Sequence, residues 1–524
     1  MEYYISVALI AVCAILTSVI SLPMLKIIQL SGYRARGVVA WVKDTNYDMP
    51  IRYSALMLFS FITSIIFVAC FAAFEWVRYC GTAFYAIFAV IFAISVSKSG
   101  ASKAKLTGRL VRLYIVNCVL VFGLCALVAW ATYYSVYCQT VISAVALLLL
   151  FTPVAANYIT LPFEKLNNKK YVKRARKKLK EHAPIVIGVT GSFGKTTAKN
   201  ILKQMLVGKY TVLATPGSYN TPMGVCKTIN NAYDGEQVFI AELGARYKGD
   251  IKELCDIVSP TYGIITAVGD MHLETMGSRS NVANVKYELG QALPQNGLLV
   301  LNGYNADCKA LETRDSACQK SVTGGEECGY ENLVINGDGT AFDLVINDER
   351  HAVKTKLLGA HIAELACVCA VIATKLGVEA KDIVSAVEGL ETVEHRLQLL
   401  PSENKTVTVI DDAYNSNPVG AKNALDVLSC FTQVKVIITP GFVELGALEK
   451  PANTELGKQI AAVCDYAYLV GSRAADIQKG ALSVGMSEDR IKTFSSRDEA
   501  VAALSEIAEN KVVLFENDLP DNIV

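Results

Sequence analysis

The sequence predicts an α-helical membrane domain followed by an α/β region of two domains. The first observation is that residues 1–163 hold only 11 basic and 4 acidic residues, in a 524-residue chain of mean hydropathy +0.34. The second is an alternation of short apolar strands and amphipathic helices after residue 183, which is typical of parallel sheets. The third is a glycine-rich turn between the first of these strands and its helix, the context of a phosphate-binding loop.

Five membrane spans are predicted within residues 1–163. A span needs about 20 apolar residues, and residues 5–25, 53–74 and 79–97 contain no charged residue. Residues 113–163 are also free of charge and long enough for two spans, which divide at the polar stretch 133–139. Basic residues concentrate in alternate loops. By the positive-inside rule we expect a multi-pass plasma-membrane protein with its N-terminus outside and its C-terminal region in the cytoplasm.

A basic linker is predicted at residues 164–182, which hold nine basic and two acidic residues. Its charge fits contact with anionic membrane lipids, and it fits equally well a stop-transfer signal followed by a solvated helix. Residues 183–524 carry 30 basic and 43 acidic residues, which excludes a strongly basic nucleic-acid-binding domain. The spans contain no charged residue, which argues against a transporter with an intramembrane ion path.

The fifteen cysteines favour structural thiols over disulfides or zinc ligands. Six lie in the membrane region and nine in the region placed in the cytoplasm, with no C-x-x-C pair among them. Thiols stay reduced in the cytoplasm. Cys367 and Cys369 are two positions apart, and the spacing of Cys308, Cys318 and Cys328 fits no usual zinc pattern.

The glycine-rich turn at residues 190–197 reads T-G-S-F-G-K-T-T. It follows an apolar strand at residues 185–189 and opens a helix. In such a turn, Gly191 and Gly194 let backbone N–H groups approach phosphate oxygens, Lys195 reaches the β- and γ-phosphates, and the Thr196 hydroxyl binds Mg²⁺. Val189 stands where the general phosphate-loop pattern has its first glycine. The turn predicts nucleotide binding.

From this turn onward the chain resembles the Mur ligase family, whose members join amino acids or peptides to cell-wall precursors. The matching motifs are T-G-S-F-G-K-T-T (190–197), S-Y-N-T-P-M-G (218–224), A-E-L-G-A (241–245), I-I-T (264–266), H-L-E-T-M-G-S (272–278), K-Y-E-L (286–289), L-N-G (301–303), H-R (395–396), D-D-A-Y-N-S-N-P (411–418) and E-L-G (444–446). The last two are similar to the branch that adds D-Ala-D-Ala. The resemblance covers about residues 183–524.

The chain is accordingly divided into a membrane domain (1–163), the basic linker (164–182), a P-loop ATP-binding central domain (183–393) and a smaller Rossmann-like C-terminal domain (394–524). A hairpin is expected at 324–349 within the central domain. Further strands are expected at 406–410, 435–439, 467–470 and 512–515. The site should lie at the carboxyl ends of the parallel strands and between the domains.

The resemblance also implies the residues of the site. The implied nucleotide contacts are Thr190, Gly191, Ser192, Phe193, Gly194, Lys195, Thr196, Thr197, Asn302, Arg396 and, on the ribose, Asp412. The implied Mg²⁺ site comprises Thr196, Glu242, His272 and Lys286, with Lys286 carbamylated into an anionic ligand. The implied catalytic residues are Lys195, His272, Lys286 and Arg396, and the implied substrate contacts are Asn220, Thr221, Asn415, Asn417 and Glu444.

Read without the resemblance, several of these residues have ordinary structural explanations. A single His is usually structural, a helical Lys is usually a solvated charge, and an Asp-Asp-x-Tyr-Asn-x-Asn-Pro run is usually a plain turn.

The chain departs from the family pattern at two places. Where the family has G-x-H-N-x-x-N, this chain has Ile362 and Leu365 in place of the two asparagines, so the adenine contacts are expected to differ. The branch that adds D-Ala-D-Ala begins with a soluble domain that grips the uridine nucleotide, and here membrane spans stand in that position. A lipid-linked acceptor would explain that exchange, because membrane anchoring would hold acceptor and active site at one surface.

We expect an ATP- and Mg²⁺-dependent amide ligase that acts through an acyl phosphate. It would join D-Ala-D-Ala, or a similar amino acid or peptide amine, to a muramoyl-peptide carboxylate of peptidoglycan synthesis. One alternative is a related ligase or amidating enzyme that acts on a lipid-linked acceptor. A second is a membrane-anchored nucleotide-binding scaffold, against which the complete metal-ligand set argues. A transport ATPase fits neither the loop spacing nor the spans.

Overall fold

The computed structural model describes residues 2–33, 38, 48–71, 80–97, 106–131, 151–271, 273–325, 327–391, 397–400, 406–413, 417–443, 445 and 448–517. The chain divides into two compact units, Met1–Lys169 and Lys170–Val524.

The described residues of the first unit are almost all helical. Its helices α1 to α6 span Glu2–Ile20, Leu22–Leu30, Asp48–Phe71, Cys80–Ser97, Gly108–Ala131 and Thr152–His182, the last of which continues into the second unit. Several buried polar side chains in this unit are hydrogen-bonded to one another, as buried polar groups usually are. The Asn117 amide donates to Ser21 Oγ at 2.8 Å, and the Thr152 hydroxyl donates to Asn117 Oδ1 at 2.8 Å.

Two segments of the described residues, Ile10–Leu30 and Gly108–Val128, are long and apolar enough to cross a bilayer. By length and composition alone these two segments are weak evidence, because a core helix of a soluble protein passes the same test. The expected division at residues 133–139 lies outside the described residues. The five-span arrangement therefore stays a prediction.

Helix α6 includes the segment predicted to be a basic linker. Its end within the second unit buries Ala175 and Leu179 in the apolar core beneath the central sheet. The Lys178 ammonium donates to the Tyr233 carbonyl, and the Asn230 amide donates to the Tyr171 carbonyl at 3.1 Å. Residues 170–182 are thus a helix that packs on the α/β unit rather than an extended connection.

The second unit begins with a parallel sheet of strands β1 to β6, which span Ile185–Thr190, Val212–Ala214, Val238–Glu242, Tyr262–Ile265, Leu298–Leu301 and Gln319–Val322. Among the described residues its strand order is β2-β3-β1-β4-β5-β6. Helices α7 to α12 span Lys195–Val207, Pro222–Ala232, Asp250–Val258, Leu273–Met276, Arg279–Ala292 and Ala306–Lys309. Because β1 pairs in parallel with both β3 and β4, the carboxyl ends of these three strands meet at one edge.

An antiparallel sheet follows where the sequence predicts a hairpin. Strands β7 to β9 span Cys328–Asn336, Gly339–Ile346 and Glu349–Thr355. The third strand, β9, was not expected. Val353 on this strand is buried, and pairing with β8 provides hydrogen-bond partners for the backbone of β9. Helices α13 and α14, Ala360–Lys375 and Ala380–Glu388, then cover the first sheet, and α13 contributes a nearly continuous run of buried residues to that core.

The C-terminal part forms a second α/β sheet. Strands β10 to β15 span Gln398–Leu400, Val407–Asp412, Val434–Thr439, Tyr466–Val470, Ile491–Phe494 and Lys511–Glu516. The order is β10-β11-β15-β12-β13-β14 in the described residues, and only β10 runs antiparallel. Helices α15 to α18 span Pro418–Ser429, Glu449–Val463, Ala474–Ser483 and Arg497–Ala503. The four strands expected here correspond to β11, β12, β13 and β15; the short strands β10 and β14 were missed.

Candidate functional site

The glycine-rich turn forms a closed loop between β1 and α7. Gly191 and Gly194 adopt φ angles of 154° and 78°, which favour glycine over residues with a side chain. A Cβ atom at Gly191 would lie 2.0 Å from Thr266 Oγ1 and 3.0 Å from the Ala267 nitrogen. The loop therefore lies against the end of β4 with no space for a side chain, which leaves its inner surface to backbone groups.

Side-chain hydrogen bonds hold the loop in this shape. Thr190 Oγ1 donates to the Leu243 carbonyl at 2.9 Å, and the Ser192 amide donates to the Ala267 carbonyl at 2.8 Å. Ser192 Oγ accepts from the Gly269 amide, and Thr266 Oγ1 donates to the Phe193 carbonyl. Neighbouring strand ends thus brace the loop, and Thr190 and Ser192 serve the loop backbone rather than pointing out of it.

Lys195 opens helix α7 and turns back over the loop. Its ammonium donates to the Gly191 carbonyl at 2.8 Å and to the Ser192 carbonyl at 3.2 Å. The charge is therefore held at the mouth of the loop, as phosphate binding requires. Thr197, the next residue but one, is only partly buried on the same first turn.

Glu242 ends β3 beside the loop and is the centre of a buried hydrogen-bond network. Its Oε2 accepts from Thr196 Oγ1 at 3.0 Å and from the Lys199 ammonium at 2.9 Å, and its Oε1 accepts from the Asn220 amide at 3.1 Å. The side chains of Lys199 and Glu242 are 2% and 1% exposed. We call these four residues, Thr196, Lys199, Asn220 and Glu242, the Glu242 cluster.

The residues expected to contact substrate at 220–221 contribute to this part of the fold. Asn220 binds Glu242, and Gly244 makes room for it, since a Cβ there would lie 2.7 Å from the Asn220 side chain. Thr221 caps helix α8 by accepting from the Gly224 amide at 3.3 Å. Asn220 thus belongs to the Glu242 cluster and Thr221 follows it in the chain; contact of either side chain with substrate stays a prediction.

The donor set fits a Mg-nucleotide. A loop of positive-φ glycines next to a helix N-terminus is an anion-binding arrangement, and a hydroxyl with a carboxylate supplies the oxygen ligands that Mg²⁺ prefers. Because the Thr196 hydroxyl donates a hydrogen bond to Glu242, the lone pairs of the Thr196 oxygen remain for a cation. Within the described residues no three His, Cys, Asp or Glu side chains converge, and Thr196 with Glu242 are the predicted cation ligands that the structure brings into contact there.

Lys286 lies on helix α11 and is 3% exposed. Burial, followed by the charge of Lys195, lowers the pKa of its amine to about 7, against the weaker opposing effects of Asp250 and Glu288. Both carboxylates are engaged by backbone amides: Asp250 accepts from Arg246 and Tyr247, and Glu288 accepts from Gly249 and Lys252. Lys286 is therefore a buried amine with a pKa of about 7 rather than a solvated, permanently charged lysine.

Asn302 follows β5 and reaches across to helix α13. Its amide donates to the Thr266 carbonyl at 2.9 Å and to Glu364 Oε2 at 3.1 Å. Burial raises the pKa of Glu364. The two residues that replace family asparagines, Ile362 and Leu365, are each 3% exposed, and Leu365 lies against Gly194 of the loop. Apolar packing thus takes the place of amide contacts on this side of the loop.

The described C-terminal site residues lie around the end of β11. Asp412 is its last residue, where Oδ1 accepts from the Leu397 amide at 3.2 Å. The neighbouring Glu516 is buried, which raises its pKa well above the usual value, and the nearby Asp412 acts in the same direction. Asn417 caps helix α15 by accepting from the Val419 and Gly420 amides, so its side-chain oxygen has a structural partner.

Four of the residues expected in the site, His272, Arg396, Asn415 and Glu444, lie outside the described residues. Sequence reasoning missed two residues that the structure adds to the site, Lys199 and Glu364. Lys199 had one available signal: it lies four residues after Lys195, next to the buried positions Ala198, Ile201 and Leu202 of the helix. Glu364 had none, because only the fold brings it to Asn302.

Replacing Gly191 with Ala should weaken ATP binding about tenfold or more. The added Cβ would collide with Thr266, and a strained backbone conformation costs about 1–3 kcal/mol. Equilibrium binding of a fluorescent ATP analogue to the purified chain measures the change. Gly208→Ala is the matched control, because Gly208 has ordinary φ and open space around it. Equal loss of affinity in both variants would show that the loop is not the binding element.

Two family models match the chain, the Mur ligase middle domain over residues 189–373 and the Mur ligase glutamate ligase domain over residues 395–516. The UDP-N-acetylmuramoyl-tripeptide–D-alanyl-D-alanine ligase of Bacillus subtilis is 27% identical over 345 residues, which are 65% of this chain and 74% of that protein. Its Mycobacterium tuberculosis namesake is 33% identical over 252 residues, 47% of this chain and 48% of that protein. The structure of MurF ligase from Thermotoga maritima in complex with ADP is 26% identical at a TM-score of 0.60, and the match covers 68% of this chain and 81% of that one. These matches confirm the resemblance seen in the motifs.

Proposed function

The chain belongs to the Mur ligase family, and from this we propose that it is an ATP-dependent ligase that adds D-Ala-D-Ala to a muramoyl-tripeptide. The observation that carries the proposal is the Glu242 cluster beside the glycine loop. In it Thr196 is hydrogen-bonded to Glu242, and Lys195, the residue before Thr196, donates to a carbonyl of the loop. The D-alanyl-D-alanine-adding ligases named above support this choice of amine and acceptor.

The chemistry needs a carboxylate made reactive and an amine to attack it. The acceptor carboxylate displaces ADP from the γ-phosphorus of ATP and becomes an acyl phosphate. The amine then attacks the acyl carbon, phosphate leaves, and the amine loses a proton. Mg²⁺ with the nucleotide would supply charge neutralisation at the phosphates. Thr196 and Glu242 would hold the cation and Lys195 would bind phosphate; Asn302, Arg396 and Asp412 are proposed nucleotide contacts, with His272 at the metal site.

The proposal is tested with the full chain in detergent. ADP release and product mass are followed with ATP, UDP-muramoyl-tripeptide and, in turn, D-Ala-D-Ala, D-Ala and ammonia. We expect a ligated product with D-Ala-D-Ala and ADP in equal amount. A product only with ammonia or D-Ala would overturn the proposed amine, and nucleotide binding without ADP release under any combination would favour the scaffold alternative.

A lipid-linked acceptor is a second candidate, which the arrangement of the chain favours. The continuous helix Thr152–His182 ends just before the middle-domain match begins at residue 189, so membrane-region sequence directly precedes the ligase. The same assay with a lipid-linked muramoyl-tripeptide in nanodiscs separates the two. A much higher kcat/KM for the lipid-linked acceptor would establish it, whereas full turnover with the soluble UDP-linked substrate in the absence of lipid would exclude it.

We propose the membrane placement that the sequence predicts, with five spans in residues 1–163 and the ligase in the cytoplasm. The first unit supports it by burying polar and exposing apolar side chains: Asn117 is fully buried on α5 while Ile115, Val119 and Leu127 are more than half exposed. An apolar exterior of this kind fits lipid better than water. Protease should digest the ligase part in inverted membrane vesicles and spare it in right-side-out vesicles; digestion in both would contradict the orientation.

Membrane lipids are proposed partners of helix α6. Lys165, Lys169 and Lys173 are exposed along it, while Ala175 and Leu179 pack on the ligase. Lysines beside a bilayer attract anionic headgroups. Higher ligase activity in nanodiscs containing phosphatidylglycerol than in pure phosphatidylcholine would support the contact, and equal activity would oppose it.

Lys286 is proposed to be carbamylated, on the support of its burial and its pKa of about 7. A carbamate forms when a neutral amine attacks CO₂ and releases a proton. The amine is neutral above about pH 7 and charged below it, so the modification should rise as pH increases through 7. With ¹³C-bicarbonate we expect a carbamate NMR signal at pH 8 that is lost at pH 6 and in Lys286→Ala, but kept in Lys203→Ala. No signal at pH 8 would contradict the proposal.

A further inference from the structure

Lys199 is an enclosed ammonium that the proposed mechanism does not use. It lies one turn after Lys195 on helix α7 with its side chain 2% exposed. Its ammonium donates to Glu242 Oε2 at 2.9 Å and to the Gly217 carbonyl at 2.5 Å. A buried charge is tolerated only with a partner of opposite charge. Lys199 and Glu242 therefore neutralise each other inside the site.

The ion pair with Lys199 leaves the Glu242 carboxylate with little capacity to bind a metal cation. A carboxylate has about four acceptor positions, and Thr196, Lys199 and Asn220 occupy three of those on Glu242. The position that remains is on Oε1, the oxygen that accepts from Asn220, while the Lys199 ammonium binds the other oxygen of the same carboxylate. A free divalent cation at Glu242 therefore meets a carboxylate that is already neutralised and is repelled by the ammonium.

We propose that Lys199 makes divalent-cation binding at Glu242 dependent on nucleotide. Without nucleotide the ammonium keeps the affinity of the carboxylate for the free cation low. When the phosphates of a nucleotide lie in the adjacent loop, their negative charge restores the attraction, so the cation enters with the nucleotide. Lys199 acts through Glu242 as a positioning residue. The inference rests on the proposed use of Mg-ATP, although its test does not depend on turnover.

The same contacts tie the cation site to the loop that carries Asn220. Lys199 holds this loop at the Gly217 carbonyl and Glu242 holds it at the Asn220 amide, and the Gly244 amide donates to the Asn220 carbonyl at 2.9 Å. Removing the charge of Lys199 while keeping a hydrogen-bond donor therefore separates its electrostatic effect from its support of the loop. Lys199→Gln makes this change.

The test is the affinity of the full chain in detergent for Mn²⁺, which takes the same oxygen ligands as Mg²⁺. Free Mn²⁺ is measured by electron paramagnetic resonance with no nucleotide and then with ADP, and the Mn²⁺ that ADP binds in a protein-free blank is subtracted. For the wild type we expect weak binding that ADP tightens about tenfold or more. Lys199→Gln should raise the nucleotide-free affinity about tenfold or more, Lys199→Arg should behave as the wild type, and the exposed Lys203→Gln should change nothing.

Three results would overturn the inference. One is a Lys199→Gln protein whose nucleotide-free Mn²⁺ affinity equals that of the wild type and of Lys203→Gln. The second needs no variant: a wild type that binds Mn²⁺ as tightly without ADP as with it. The third is a tightened site that survives in Lys199→Gln/Glu242→Gln, because that site would lie elsewhere. Absence of ligated product in the activity assay would instead bear on the proposed function, because no arm of this test requires catalysis.

Discussion

Replacing Lys195 with Ala should lower the rate of ATP-dependent amide formation by about 10³-fold or more. Its ammonium lies 2.8 Å and 3.2 Å from the Gly191 and Ser192 carbonyls, at the mouth of the glycine loop. A positioned positive charge of this kind stabilises the transferring phosphoryl group, and removing one such group costs 10²–10⁵ in rate. Single-turnover formation of the ligated product measures the effect.

The matched control is Lys203→Ala, which removes a lysine from the exposed side of the same helix. It should retain activity, and both variants should unfold at about the same temperature, because the Lys195 ammonium is only partly buried and donates to the loop carbonyls of Gly191 and Ser192. Full activity in Lys195→Ala would refute the phosphate-binding role and with it the mechanism.

Glu242→Gln should abolish measurable ligation and also destabilise the ligase unit. The substitution removes the carboxylate proposed to hold Mg²⁺, and it leaves the Lys199 ammonium, 2% exposed, with no ionised partner. Breaking a buried ion pair from one side costs about 3–5 kcal/mol. Thermal unfolding of the purified chain should show a lowered midpoint, while product formation reports the catalytic loss.

The double variant Glu242→Gln/Lys199→Gln separates these two effects. Both buried charges are then gone, so the unfolding midpoint should recover toward the wild type while activity stays absent. Glu253→Gln, on the exposed side of α9, is the control and should alter neither quantity. A double variant that regains ligation would show that Glu242 has only a structural function.

Much of the fold could be predicted from short-range patterns. The strand–loop–helix at 185–206 and four of the C-terminal strands follow from apolar runs of strand length between helical segments. The third strand of the antiparallel insert, Glu349–Thr355, was not foreseen, because charged and polar residues interrupt it. Its stability comes from pairing along β8, a long-range property that local composition does not report.

The functional site also has one part that the sequence predicted and another that only the structure revealed. Lys195, Thr196 and Glu242 could be named from motifs because phosphate and metal chemistry restricts residue type and spacing. Asn220, Thr221 and Asn417 were expected to contact substrate, which stays a prediction; the structure adds that Asn220 binds Glu242 and that Asn417 and Thr221 cap helices. These contacts depend on which strand ends lie next to each other, and no single motif predicts the order of the strands in the sheet.

The sequence by itself determined the family, the phosphate loop and the contrast between a charge-poor N-terminal region and an acidic ligase. Tertiary structure alone decided that Lys199 neutralises Glu242, that Glu364 pairs with Asn302, and that Lys286 is buried deeply enough to lower its pKa to about 7. The physical reason is that residue type sets which interactions are available. Burial and distance set their strength, and both arise only when β1, β3, β4 and α11 pack together.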